Sequence, residues 1–367
     1  MRRAVHHPIR SLIRIGRHFN LSDHSPSALR IVGRLRRSRL RRTMRDVAAT
    51  MVPPPELLGP ARPTPLVRAD GRPQPAFRDE LRRIPNARNA ASVVSLYVQT
   101  VGILAAVVWL RGTPWWIPVW VVAFLLMGRA NAQFASLMHE AAHRLLFSDR
   151  RANDTVGRWL LGFPVWTSTD AYRRVHMAHH REEFGPEEPD IALYRGYPIT
   201  RASFRRKLWR DARGTTGLKL LRAQVVSGVR SPDRRVKRTF AQIVLVQVVI
   251  ATLMTVFGHP LMYPVLWLAP YLTVWRVINR LRSIGEHGGL RASKDRRETT
   301  HTVRQHLVAR FGIVPYRIGW HLAHHVDSGI PFRHLPDYHR ALIDAGYVTP
   351  GLEYPSYRVL WRALRAR

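Results

Sequence analysis

Three clusters of histidine carry the chemistry this chain is equipped for: His139-Glu140-Ala141-Ala142-His143, His176-Met177-Ala178-His179-His180 and His321-Leu322-Ala323-His324-His325. The patterns are HxxxH, HxxHH and HxxHH. On a helix, positions i, i+3 and i+4 share a face, so each cluster presents its imidazoles together. Neutral imidazole is a preferred ligand of iron and zinc. Eight histidines exceed what one tetrahedral ion can use, and a site with two metal ions is the economical reading. The first cluster is also a literal HExxH, in which two histidines hold zinc and Glu140 would be the general base. That peptidase reading leaves both HxxHH clusters without a role. Carboxylates that could orient the second nitrogen of a ligating histidine are Glu140, Glu183, Asp190, Glu286 and Asp327. The histidines at 6, 7, 18, 24, 259, 301, 306, 334 and 339 read as ordinary polar residues, with His301 the best reserve ligand.

Elements that must position these clusters follow from the apolar runs. Residues 91–110 carry no charge and are long enough to cross a bilayer. Trp115 and Trp116 then sit where an interfacial aromatic belt would be. A second run, 116–138, is interrupted by Arg129 and Asn131 and leads into the first cluster as one helix leaving the membrane. Two more runs cover 241–257 and 261–279, the last containing Pro264 and Pro270. The piece between Trp159 and Trp166 is too short to span and reads as a re-entrant or surface segment. The expected fold is all-α and integral to the membrane: four transmembrane helices with a cytoplasmic helical cap carrying the histidine clusters. No crossing separates His143 from His176, and two separate His180 from His321. All three clusters therefore fall on one side, and the Arg-rich segments make that side the cytoplasm, with both termini.

Around this domain, 91–345, lie a basic and Pro-rich N-terminal arm over 1–90, partly disordered, and a basic tail over 346–367. Residues from Ile9 to Arg45 read either as an amphipathic basic helix on anionic lipid or as a solvated arm. No apolar segment of secretory type follows the Arg-rich start, while an Arg-rich targeting peptide stays open. Pro53, Pro54, Pro55, Pro60, Pro63, Pro65, Pro73 and Pro75 argue against regular structure in that stretch.

The chain has 59 Lys and Arg against 24 Asp and Glu, a formal charge of +35, and no cysteine. Without cysteine there is no iron–sulfur cluster and no thiolate site, so electrons must come from a partner or another cofactor. The charge suits nucleic acid or an anionic membrane face. No nucleic-acid-binding motif accompanies it, so the partners expected are the membrane and a lipid, with no nucleic acid.

In these residues the chain resembles the membrane fatty acid desaturase and hydroxylase family, over roughly 90–345. Its signature is the same three histidine boxes set around two pairs of spans. The stretch from Tyr172 to Asp190, ending Glu187-Glu188-Pro189-Asp190, also looks like the family, as do Arg282 to His287 and Pro331 to His339. The first box has Glu140 where many members have Asp, and Gly319-Trp320 precede the third. The resemblance implies a non-haem di-iron centre with nine ligands: His139, His143, His176, His179, His180, His287, His321, His324 and His325. It implies O2 as oxidant and a fatty acyl substrate entering from the bilayer. Desaturation and hydroxylation share these boxes, and the outcome depends on how the substrate is held. His259-Pro260 lacks the glycines of a fused cytochrome b5 motif, so the electron donor is expected to be a separate carrier such as a ferredoxin.

Overall fold

The computed structural model describes residues 51–366. The Ile9–Arg45 helix reading, with the rest of residues 1–50, lies outside the described residues.

The described chain is mostly helical. Helix α1 (Pro75–Leu81) is followed by α2 (Asn86–Trp109) and α3 (Trp116–Ala142). The proline-rich stretch thus does hold a helix. Pro75 stands in its first turn, where the missing N–H costs nothing and φ is already helical. A short α4 (Arg150–Thr155) runs through a wider π-type turn, Val156–Gly162, and a tight 3-10 turn, Phe163–Val165. Then come α5 (Thr169–Glu182), α6 (Ile191–Tyr194), α7 (Arg201–Ala212), α8 (Thr215–Arg230) and α9 (Arg234–Val256). The last part holds α10 (Ala269–Leu272), α11 (Val274–His287), α12 (Leu307–Gly312), α13 (His321–Val326), α14 (Leu335–Asp344) and α15 (Tyr357–Ala363). Two two-residue strands, β1 (Thr302–Val303) and β2 (Glu353–Tyr354), pair in parallel.

Among the described residues, three helices are long and apolar enough to cross a membrane: the one ending at Trp109, α3 and α9. On the first and last, less than a quarter of the apolar window is buried, whereas on α3 it is 61%. Helix α3 is therefore the inner span, walled by neighbours, and α2 and α9 turn Val94, Val98, Val101, Leu245, Val248 and Val256 outward. The fourth apolar run differs from the single helix expected. A π-type turn, Tyr263–Leu268, passes into α10, and the chain breaks at Thr273 (φ −121°, ψ −83°) before α11 begins. Pro264 and Pro270 each remove a helical N–H, and Thr273 Oγ1 donates to the Ala269 carbonyl at 2.6 Å. The short piece before Trp166 is held by α9 and the fourth apolar run: Gln247 of α9 donates to the Phe163 and Pro164 carbonyls, and Trp267 to Pro164.

Residues ahead of α2 pack onto the rest. Ala61, Val67 and Leu81 are buried in the main core. The Arg297 guanidinium donates to the Leu58 and Gly59 carbonyls, pairs with Asp295 and lies over the Tyr347 ring. A second apolar cluster, with Tyr194, Tyr197, Phe204, Ile284, Leu360 and Leu364 among its members, lies between α7, α11 and α15.

Candidate metal centre

Four elements deliver the nine expected ligands to one buried place. The end of α3 supplies His139 and His143, and α5 supplies His176, His179 and His180. His287 closes α11, and α13 is little more than the third box. Local sequence sets these elements. Ser168 caps α5 by accepting from the Ala171 amide. The i, i+3, i+4 spacing then aims the three α5 imidazoles inward.

The imidazoles sort into two sets. Ring nitrogens of His139, His143, His176, His180 and His324 all lie within 4.8 Å of one another, and so do those of His179, His287 and His325. His321 joins the second set, its Nε2 lying 3.1 Å from His287 Nε2 and 2.9 Å from His325 Nε2. In the first set, His180 Nε2 lies 3.1 Å from His176 Nε2 and 3.0 Å from His324 Nε2. Two nitrogens bound at right angles to one ion, at metal–nitrogen lengths of roughly 2.1 Å, stand about 3.0 Å apart. Both nitrogens of His139 and Nε2 of His143 are buried with no hydrogen-bond partner. Orphaned imidazole nitrogens facing one another at ligand spacing fit two metal ions, one in each set.

Carboxylates and one carbonyl hold the outer nitrogens. Glu188 contacts His179 Nδ1 at 3.0 and 3.1 Å, and Glu183 contacts His325 Nδ1 at 2.5 Å while pairing with Arg296. His287 Nδ1 donates to the Thr299 carbonyl at 2.8 Å. Glu286 Oε1 accepts from Arg282 at 2.6 Å and stands 3.5 Å from His321 Nδ1, which has no hydrogen-bond partner. Nδ1 as donor leaves Nε2 as the free lone pair, so these contacts fix the tautomer a ligand needs. Charge follows the same logic. Burial, then the neighbouring imidazoles, push His176, His180, His321, His324 and His325 well below the usual histidine range. Burial takes His287 down to about 3. His179 goes the other way: burial opposes its charge, but Glu188 outweighs burial and raises its pKa.

Other candidates stand elsewhere. Glu140 accepts from the Phe332 amide at 2.9 Å and is not among the converging groups, so it tethers the loop after the third box. Asp190 lies beside His179 and Glu188. Asp327 pairs with Arg78 of α1 at 2.6 Å. His301 contacts the Gly288 carbonyl and does not join either set. Sequence reasoning did not single out Glu188, Thr299 or Tyr172, whose ring stacks on His176 at 5.1 Å between centroids. For Glu188 the only signal was its place in a short acidic loop.

The sequence model of the fatty acid desaturase family matches residues 114–358. Among curated proteins, the dihydrorhizobitoxine desaturase of Bradyrhizobium elkanii is 24% identical over 233 residues, which covers 59% of this chain and 65% of that protein. The chain thus matches a little under two thirds of the length of its curated relative.

Proposed function

Since the chain belongs to the fatty acid desaturase family, we propose that it is an O2-dependent membrane oxidoreductase that introduces a double bond into a lipid acyl chain. The observation that carries this reading is the meeting of nine imidazoles, seven buried and His143 and His180 half-buried, in two nitrogen-lined sets. Two iron ions would be held there, the first by His139, His143, His176, His180 and His324, the second by His179, His287, His321 and His325. When bound they supply the redox power to activate O2 against an unactivated C–H bond.

The chain's own residues do the rest. Glu188, Glu183 and the Thr299 carbonyl keep the proton on Nδ1 of His179, His325 and His287, so that Nε2 stays available. Arg282 and Arg296 compensate the buried charge of Glu286 and Glu183. Leu137, Ala141 and Ala323, all essentially without solvent exposure, keep water from the inner faces of α3 and α13. The broken run 261–279 serves as the fourth crossing, which puts the boxes and both termini on the cytoplasmic side. An external one-electron carrier such as a ferredoxin is the reductant.

Two rival readings carry less. The curated relative's name gives desaturation as its reaction, which favours a double bond over a hydroxyl group. A zinc peptidase needs Glu140 beside a metal-bound water, yet this carboxylate is occupied by the Phe332 amide. The test is to express the chain with a ferredoxin and its reductase, beside His179→Ala, and to profile total fatty acids by mass spectrometry. New unsaturated chains absent from the variant are expected. Hydroxy acids would move the protein to the hydroxylase branch, and one zinc per chain with no lipid change would overturn the proposal.

A further inference from the structure

Desaturation sets an electron balance. Converting CH2–CH2 to CH=CH yields two electrons and two protons, while taking O2 to two waters consumes four of each. Two electrons must therefore arrive from outside, one per visit of a one-electron carrier, with two protons from solvent. A chain without cysteine has no iron–sulfur relay of its own, so the carrier must dock on its surface.

One surface stands out. Arg201 and Arg205 of α7, with Arg362 of α15 and Arg365 just after it, line a single groove of about 410 Å³. No carboxylate among the described residues forms an ion pair with any of the four. Arg201, Arg205 and Arg362 are exposed. The two walls are tied by the Ile199 amide donating to the Leu364 carbonyl at 3.0 Å. An aromatic cluster lies buried beside the groove. Arg365 lies over the Phe204 ring at 5.8 Å, and Phe204 shares one buried cluster with Tyr197 and Tyr194. The Tyr194 hydroxyl reaches 3.4 Å from His179 Nδ1, and its ring stands 5.0 Å from that of His287. Packed protein thus runs unbroken from the groove to two of the imidazoles.

We propose that this four-arginine groove is the docking site of an acidic one-electron carrier of the ferredoxin type, and that electrons pass inward through the Phe204–Tyr197–Tyr194 cluster to the His179 side of the centre. Charge complementarity favours such a partner. The buried aromatic cluster that joins the groove to the histidines distinguishes it from a site that only holds an anionic lipid head. The inference rests on the desaturase reading for its need of a reductant, but its test does not rest on turnover.

The experiment uses the full chain in nanodiscs of neutral lipid, loaded with iron, and a plant-type [2Fe–2S] ferredoxin of net negative charge as the probe. Binding is measured at low and high salt for wild type, Arg362→Glu/Arg365→Glu, Arg201→Glu/Arg205→Glu, and Arg340→Glu as a charge reversal outside the groove. Each groove pair should weaken binding about tenfold or more at low salt and flatten its salt dependence, while Arg340→Glu binds as wild type. Metal content and circular dichroism show that the variants are folded. Equal ferredoxin affinity in folded groove variants would overturn the proposal. So would groove variants that bind ferredoxin normally but lose binding to phosphatidylglycerol vesicles, which would mark a lipid-head site. Failure of the desaturase reading would show separately, as an unchanged lipid profile with ferredoxin binding intact.

Discussion

Glu188 is the carboxylate that faces His179 in the proposed second metal set. It is buried, with both oxygens at His179 Nδ1 and each also accepting a backbone amide, from Asp190 and from Phe184. Glu188→Gln keeps the shape and removes the charge, and iron affinity is expected to fall about 10- to 100-fold, measured by iron titration with competing chelator. Iron binding unchanged in that variant would detach Glu188 from the centre. His301 makes a different prediction. Burial takes its pKa from 6.5 to about 4, against the pull of the Gly288 carbonyl. Its folded pKa is depressed, so its contribution to stability is full above pH 6.5 and is lost as pH falls from 6.5 towards 4. His301→Gln should therefore show a smaller drop in melting temperature between pH 7.5 and pH 5 than wild type does. At this scale the sequence was informative where spacing was informative. The i, i+3, i+4 pattern picked out eight of the nine converging imidazoles, because helical geometry leaves such triplets little choice of face. His287 came only from family likeness, since a lone histidine carries no period. The choice between Glu187 and Glu188 was illegible, because a loop bounded by Pro186 and Pro189 has no repeat that says which side chain turns inward.

Among the elements, α3 decides whether the centre assembles, because it carries the first box and is the most enclosed span. Gly128 lets it approach α11, where a Cβ would run into the Val274 side chain. Gly128→Leu should cost about 1–3 kcal/mol by overpacking and reduce iron content together with thermal stability. A variant as stable and as fully loaded as wild type would show that this contact does not set the spacing. Helix α11 is fixed from its other side by the Arg280–Asp211 pair, nearly dry on both partners, with Thr216 also on Asp211. Asp211→Asn strands a buried guanidinium, for which about 3–5 kcal/mol is the usual cost, read as a lower unfolding temperature in detergent. The long apolar helices were legible because their runs exceed any ordinary core helix. The broken fourth run was half legible. Its prolines predicted trouble, but apolarity alone could not say that the helix widens at Tyr263 and snaps at Thr273. Nothing periodic in residues 51–74 announced that Ala61 and Val67 are buried, since their contacts come from chain far away in sequence.

For the whole molecule, the proposed sidedness has a clean test, because the chain has no cysteine to give background. Thr113→Cys, in the turn between α2 and α3, and His259→Cys, after α9, should react with a membrane-impermeant maleimide from outside the cell. Asp337→Cys on α14 should react only after lysis. External labelling at 337, or protection at 259, would replace the four-crossing arrangement. The spread of the imidazoles along the chain also has a meaning in time. Synthesis runs from the N-terminus at roughly 5–20 residues per second, and the third box is the last to leave the ribosome. Until residues 321–325 emerge, both sets are incomplete, while the first box already displays a pair of histidines of the sort that captures zinc. On the proposed two-iron reading, the order of the boxes makes metal choice a race between finishing the chain and filling half a site with the wrong ion. A nascent chain stalled before His321 should come out of the cell carrying zinc.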